Sequence, residues 1–250
     1  MCAMNPRLLR PKASGFRPDS ISGLANWWDA NDAATLTLNS GAVETWTSKA
    51  GRKSAATQTV ANNRPVTTTV NGKTALSFDG SNDGLNFTGT AATDETWVIA
   101  AAQIGDSTGQ DTLVNDGGNG FGISVARGST RLVEASFGPG YDEGVHRLRA
   151  TYSSNVATPF GPGVISVVRS AAAGGFVFID GTQRNSGVNG ASSFTTSASQ
   201  TMQRIGYYSS TLFQWQGWIG EILLYDRALS ASDRLKVERY LGKKWGITVA

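Results

Sequence analysis

The chain has 250 residues, 40% hydrophobic and 16% charged, with thirty glycines and seven prolines; such a composition can bury one sizeable core and excludes disorder, which needs high net charge and little hydrophobicity. The net charge is +3, but Arg7, Arg10, Lys12 and Arg17 supply +4 before the first acid, leaving residues 18–250 at −1 and arguing against specific nucleic-acid binding by the body of the chain. Cys2 is the only cysteine, which excludes an intramolecular disulfide and points to folding in a reducing cytoplasm; no apolar run reaches the length of a membrane span or of a signal-peptide core.

Residues 1–21 read as an extended basic arm, interrupted by Pro6, Pro11 and Pro18 and too poor in apolar surface to order by itself. Leu8, Leu9 and Phe16 are its apolar anchors, and Arg7, Arg10, Lys12 and Arg17 suit an acidic neighbour, so these residues form a candidate partner-binding segment. Residues 22–250 read as one domain.

From Leu24 onward short apolar runs recur between turn signals, the pattern of an antiparallel sandwich. Strands are predicted at 74–79, 96–103, 120–127, 131–136, 145–153, 164–169, 176–180 and 217–226. Asn71-Gly72, Asp79-Gly80, Asp83-Gly84 and Asp180-Gly181 supply turns, because these residues tolerate the positive φ that tight hairpins require. "GFVFID" and "WIGEILLY" are apolar on both faces, which predicts strands covered on both sides. The polar stretch 186–200 reads as a long exposed loop. Near the C-terminus Ser230 caps a predicted helix with Asp233 in its first turn, Val237, Tyr240, Leu241 and Trp245 share one face, and Gly246 ends it. A lone helix of this kind is expected to pack across the sandwich and close an edge or a sheet end.

Sites with chemistry are few. Asp79, Ser81 and Asp83 occupy the first, third and fifth positions of a calcium-loop pattern, with Gly84 sixth, but Thr90 stands at the twelfth where a bidentate Glu belongs. Two readings stand: a plain turn, or a weak or partner-completed calcium site. No other cofactor is indicated, since one His and one Cys cannot make a zinc site. His146 shares an alternating face with Leu148, Ala150 and Tyr152 and reads as structural. Glycosidases on sandwich folds need two carboxylates on one face, and the nearest approach, Glu221 and Asp226, has an odd separation that turns them apart; Glu134 and Glu143 have no partner at that spacing. The expectation is that the chain is not an enzyme. Trp28, Trp46, Trp97 and Trp245 read as core, whereas Tyr207, Tyr208, Phe213, Gln214 and Trp215, interleaved with serines and glutamine, read as a contact surface for a glycan or a protein.

Four blocks, "LANWWDANDAATLTLNSGAVETWTSKAG", "NGKTALSFDGSNDGLNF", "GGFVFIDGTQRNSG" and "GWIGEILLYDRALSASDRLKVERYLGKKWGI", appear in order across residues 22–247. In them the chain resembles the LamG-like branch of concanavalin A-like lectin/glucanase domains. The resemblance implies an all-β fold, a two-sheet antiparallel jelly-roll sandwich with one C-terminal amphipathic helix. Domains of this look occur in secreted bacterial proteins and in virion proteins of tailed bacteriophages. Gly84 departs from the family, which often carries an aromatic after "GSND". With the basic arm in front, the resemblance leads to the expectation of a virion structural protein, a capsid decoration (cement) or head/tail-fibre component. It would fold in the host cytoplasm, form a homo-oligomer and attach by its arm to major capsid or other virion proteins, with no membrane partner. The alternative expectation is a carbohydrate-binding adhesion module for host-surface glycans.

Overall fold

The direction in which apolar side chains alternate along one central strand sets the layering of the whole molecule. The computed structural model describes residues 15–50, 54–89, 92–104, 110–117, 122–127, 131–136, 147–153, 159–184, 201–208 and 213–250. In chain order the strands are β1 (Leu24–Asp29), β2 (Leu36–Asn39), β3 (Ala42–Thr47), β4 (Ala55–Thr57), β5 (Val66–Val70), β6 (Lys73–Asp79), β7 (Leu85–Asn86), β8 (Glu95–Gln103) and β9 (Asp111–Asn115). They continue with β10 (Gly122–Arg127), β11 (Arg131–Ser136), β12 (Arg147–Ser153), β13 (Gly163–Ser170), β14 (Gly174–Ile179), β15 (Thr182–Gln183), β16 (Arg204–Ile205) and β17 (Gln216–Tyr225), followed by helix α1 (Ala231–Trp245).

In β8, Trp97, Ile99 and Ala101 enter a core shared with Leu113 of β9, Val125 of β10, Val133 of β11 and Ala150 of β12. Val98, Ala100 and Ala102 point the other way, into a second core with Val237, Leu241 and Trp245 of α1. One core therefore lies between two sheets and the other between a sheet and the helix. That is why β8 is apolar from Trp97 to Ala102, and why β17 reads the same way: Ile222 and Leu224 enter the first core, Trp218, Leu223 and Tyr225 the second.

Among the described residues all strand pairings are antiparallel. On one side β17 pairs with β8; on the other it pairs with β1 along 221–225 and with β6 along 216–219. β8 continues to β13 and β14. The second layer runs β7, β16, β9, β10, β11, β12. The small strands β3, β4 and β5 link the layers along one side, and the sandwich is not closed into a barrel. Among the described residues no helix is long and apolar enough to cross a membrane.

All eight predicted strands are present, with bounds shifted by a few residues, and the antiparallel sandwich with a single C-terminal helix is the observed fold. Asn71-Gly72 and Asp180-Gly181 both make hairpins with positive φ at each residue, 49° and 72°, 51° and 84°. Ser230 Oγ accepts the Asp233 N–H (3.1 Å), and Gly246 closes the helix at φ 73°. The helix placement differs from expectation. It lies on the outer face of the sheet over β8 and β13, because that face is apolar along its length and a helix at an edge would leave it bare. Trp28, Trp46, Trp97 and Trp245 are buried as expected. His146, Glu143 and the stretch 186–200 lie outside the described residues, as do Arg7, Leu8, Leu9, Arg10 and Lys12 of the arm.

Candidate functional site

The turn after β6 and the segment following β16 meet at one rim, brought together because β16 pairs with β7 at Arg204↔Asn86 and Ile205↔Leu85. Asp79 Oδ1 accepts the backbone N–H groups of Ser81 (2.8 Å), Asn82 (3.2 Å) and Asp83 (3.4 Å), while Asp83 Oδ2 accepts the Asp79 N–H (2.9 Å). The two carboxylates thus close the turn on itself, which accounts for Asp79 and Asp83 as turn formers and leaves Ser81 exposed. Burial, reinforced by the charge of Asp79, pushes the Asp83 carboxyl up to about 7. Among the described residues no group of three or more His, Cys, Asp or Glu is placed to hold a metal ion.

Gly84 explains its own departure from the resemblance. A Cβ there would stand 2.1 Å from Cδ1 of Tyr207, so the Tyr207 ring lies directly on the glycine. The aromatic that this position lacks is replaced by a ring from a distant segment. Tyr207 Oη donates to Asn86 Oδ1, and the Arg204 guanidinium stands 5.2 Å from the Tyr207 ring centroid while donating to the Tyr208 carbonyl. Tyr208 and Phe213 meet edge to face at 5.7 Å. Tyr207, Tyr208 and Phe213 are each partly exposed, as the contact-surface expectation requires. Gln214 and Trp215 correct that expectation, because both are buried. Phe213 has φ 59°, which breaks the strand alternation; bonds from Thr112 N–H to the Phe213 carbonyl (3.1 Å) and from Trp215 N–H to the Gly206 carbonyl (2.7 Å) then turn the indole into the core.

A second constellation lies under the helix and was missed from the sequence. Glu221 is fully buried, and its Oε1 accepts Trp27 Nε1 (2.5 Å) and Tyr240 Oη (3.0 Å), its Oε2 Trp245 Nε1 (3.2 Å) and Lys244 Nζ (2.6 Å). Lys244 Nζ also reaches Asp29 Oδ1 (2.6 Å), and Lys49 Nζ bridges Asp29 Oδ2 (2.7 Å) and Asp32 Oδ2 (3.1 Å) while standing 4.3 Å from the Trp27 ring centroid. Burial, then the charge of Asp29, pushes the Glu221 carboxyl up, against the pull of Lys244. With both oxygens saturated by donors, Glu221 acts as a fixed anion joining β17 to α1. The available signal was an acid inside "WIGEILLY": a carboxylate in a strand covered on both sides needs a cation and donors nearby.

The root of the arm packs on the same region. Tyr225 Oη donates to the Pro18 carbonyl (3.0 Å), Pro18 and Ile21 are buried, and Phe16 meets Tyr240 edge to face at 6.2 Å. Arg17 pairs with Asp19 at 2.7 Å on the surface. Phe16, read from the sequence as an anchor for a neighbour, touches Tyr240 of the domain while staying exposed, and Arg17 pairs with Asp19 within the arm itself.

No family model and no curated protein matches the sequence. Solved structures do share its fold. Trypanosoma rangeli sialidase in complex with sialic acid is 16% identical with a TM-score of 0.58, over 91% of this chain and 34% of that one. Domain 4 of AbnA, a GH43 extracellular arabinanase from Geobacillus stearothermophilus, in complex with arabinotriose, is 13% identical with a TM-score of 0.56, over 84% of this chain and 95% of that one. The binding domain of Paraclostridial Mosquitocidal Protein 1 is 12% identical with a TM-score of 0.59, over 92% and 56%. The chain thus spans about a third of the length of the sialidase it matches. At these identities the likeness shows a β-sandwich and no more. It nevertheless corrects the expectation that the chain is not an enzyme, since a sialidase and a domain of an arabinanase share the fold. Spacing along one strand does not bound such pairs, since Asp29 and Glu221, far apart in sequence, stand opposite each other on β1 and β17; in this chain both are buried and paired with Lys244.

Proposed function

We propose that the domain recognises glycans at the rim formed by Tyr207, Tyr208 and Phe213, with Arg204 and Asn86 as the polar edge. The observation that carries this is three partly exposed rings beside a guanidinium and a carboxamide, held by backbone bonds to β9 and by the glycine at 84. Ring faces supply rigid apolar plates for sugar C–H groups, and the polar edge supplies orientation. The sandwich of the arabinanase domain, whose structure holds arabinotriose, supports the reading at the level of the fold. A glycan array probed with the full chain tests it: binding is expected, and Tyr208→Ala with Phe213→Ala should weaken it at least tenfold, roughly the 1.4 kcal/mol that defines a decade. An array without hits, or a double variant that binds as the parent does, overturns it.

A second reading concerns setting. The resemblance to LamG-like domains of tailed-phage virion proteins, with Arg7, Arg10 and Lys12 and no acid in residues 1–14, supports a capsid cement or head/tail-fibre component, oligomeric and fastened by that segment. A protein of this kind saturates particles at a fixed copy number and raises capsid stability by binding only the assembled state. Unchanged particle binding after deletion of residues 1–14 would remove the reading.

A further inference from the structure

We infer that the groove between the arm root and α1 is a binding site for an acidic polysaccharide, a sugar chain bearing carboxylate or sulfate. The groove encloses about 770 Å³ and is walled by Phe16 and Tyr240 among Lys73, Lys236, Arg239, Lys243 and Lys244, with no acidic residue in its lining among the described residues. Lys236, Arg239 with Tyr240, and Lys243 recur at i, i+3/i+4 and i+7, which places them along one helix face over about 10 Å. Lys73 is set opposite by the Asn71-Gly72 hairpin, which is stitched to the helix end where Asn71 Nδ2 donates to the Trp245 carbonyl (2.8 Å).

The cations differ in what already holds them. Lys244 is neutralised by Asp29 and Glu221, Lys236 has a surface pair with Asp233 (3.1 Å), and Arg239 donates to the Ala250 carbonyl (3.2 Å). The side-chain ammonium groups of Lys73 and Lys243 have no hydrogen bond or ion pair among the described residues. Residues 18–250 sum to −1, so this gathering of like charge in one groove is a local departure from the body's balance. A concave wall with one sign of charge concentrates counter-ions of the other sign.

The rings select among polyanions. Phe16 and Tyr240 stand at 64° to each other, forming an apolar corner with no parallel slot for a nucleobase, whereas the C–H edges of a sugar ring fit such a corner. A nucleic-acid surface spreads its cations over a broad face to track phosphates, and here they are confined to one trough. The site is on a different part of the molecule from the rim and does not rest on it.

The test titrates the full chain with polygalacturonate, heparin, neutral dextran and a single-stranded DNA oligonucleotide. Binding to at least one of the two acidic polysaccharides is expected, the two arms separating carboxylate from sulfate recognition, with dextran not bound. Lys73→Gln with Lys243→Gln should weaken that binding at least tenfold and flatten its salt dependence, and Phe16→Ala should weaken it several-fold. Circular dichroism confirms that the charge variants are folded. The inference is overturned if neither acidic polysaccharide binds, if dextran or the DNA binds as tightly, if the double lysine variant binds as the parent does, or if Arg7→Gln, Arg10→Gln and Lys12→Gln together abolish binding while the lysine variant does not.

Discussion

Glu221 is the residue whose removal most plainly tests how helix and sheet are joined. Glu221→Ala would leave Lys244 with Asp29 alone and strand three donors, two indoles and a phenol, in a buried site, and the expected loss of stability is about 3–5 kcal/mol, measured by urea unfolding. A loss under about 1 kcal/mol would mean that the network contributes little. In the sequence the acid could be noticed, but its partner could not. Asp29 faces it only because β1 and β17 pair in the register Asp29↔Glu221, a tertiary fact that no local pattern encodes. Asp83 and Glu95 make a second residue-scale prediction. Burial pushes both carboxyls up to about 7, so between about 4 and 7 the folded state holds protons that the unfolded chain has released. Stability therefore falls as pH rises through that window and levels off above it. Asp83→Asn keeps an oxygen for the Asp79 N–H, so its melting temperature should exceed the parent's by more at pH 8 than at pH 4.5. Parallel curves would contradict the assignment.

At the scale of elements, α1 is the most legible piece of the chain. Ser230, Asp233 and Gly246 mark its ends, and the apolar stripe marks the face that meets β8 and β13. Ser230→Ala removes the bond to the Asp233 N–H and should cost about 1 kcal/mol, read by thermal unfolding. Legibility among strands followed length only in part. The eight runs read from the sequence announce themselves, but β1 and β3, six residues each, were missed, and β7, β15 and β16, two residues each, are defined only by the partners they meet. The hairpin between β2 and β3 turns through Ser40 and Gly41 with φ 54° and 85°, the geometry of an Asn-Gly turn carried by a residue that rarely adopts it. Gly220 lies at the irregularity in β17, and a Cβ there would meet Trp245 Cζ2 at 2.5 Å, so Gly220→Ala should push the indole off the sheet and lower stability. An unchanged melting temperature would show that the indole has room to shift.

For the molecule as a whole, the layering follows from the two-faced strands: sheet against sheet for the main core, helix against sheet for the second. Both candidate surfaces lie where that framework leaves polar and aromatic side chains at the outside, the rim beside β7 and β16 and the groove beside α1. The rim's aromatic segment was legible as a run of rings among polar residues. Which rings stay out was not, because the positive φ at Phe213 decides that Trp215 goes in. The groove was illegible, since Phe16, Lys73 and Lys243 come together only once the arm root and a hairpin pack on the helix. The central claim is glycan recognition at the rim, and the most direct measurement is a backbone amide NMR titration of the full chain with the strongest binder from the array. The account predicts shifts centred on Asn86, Arg204, Tyr207, Tyr208 and Phe213. Shifts confined to any other face of the sandwich would contradict it.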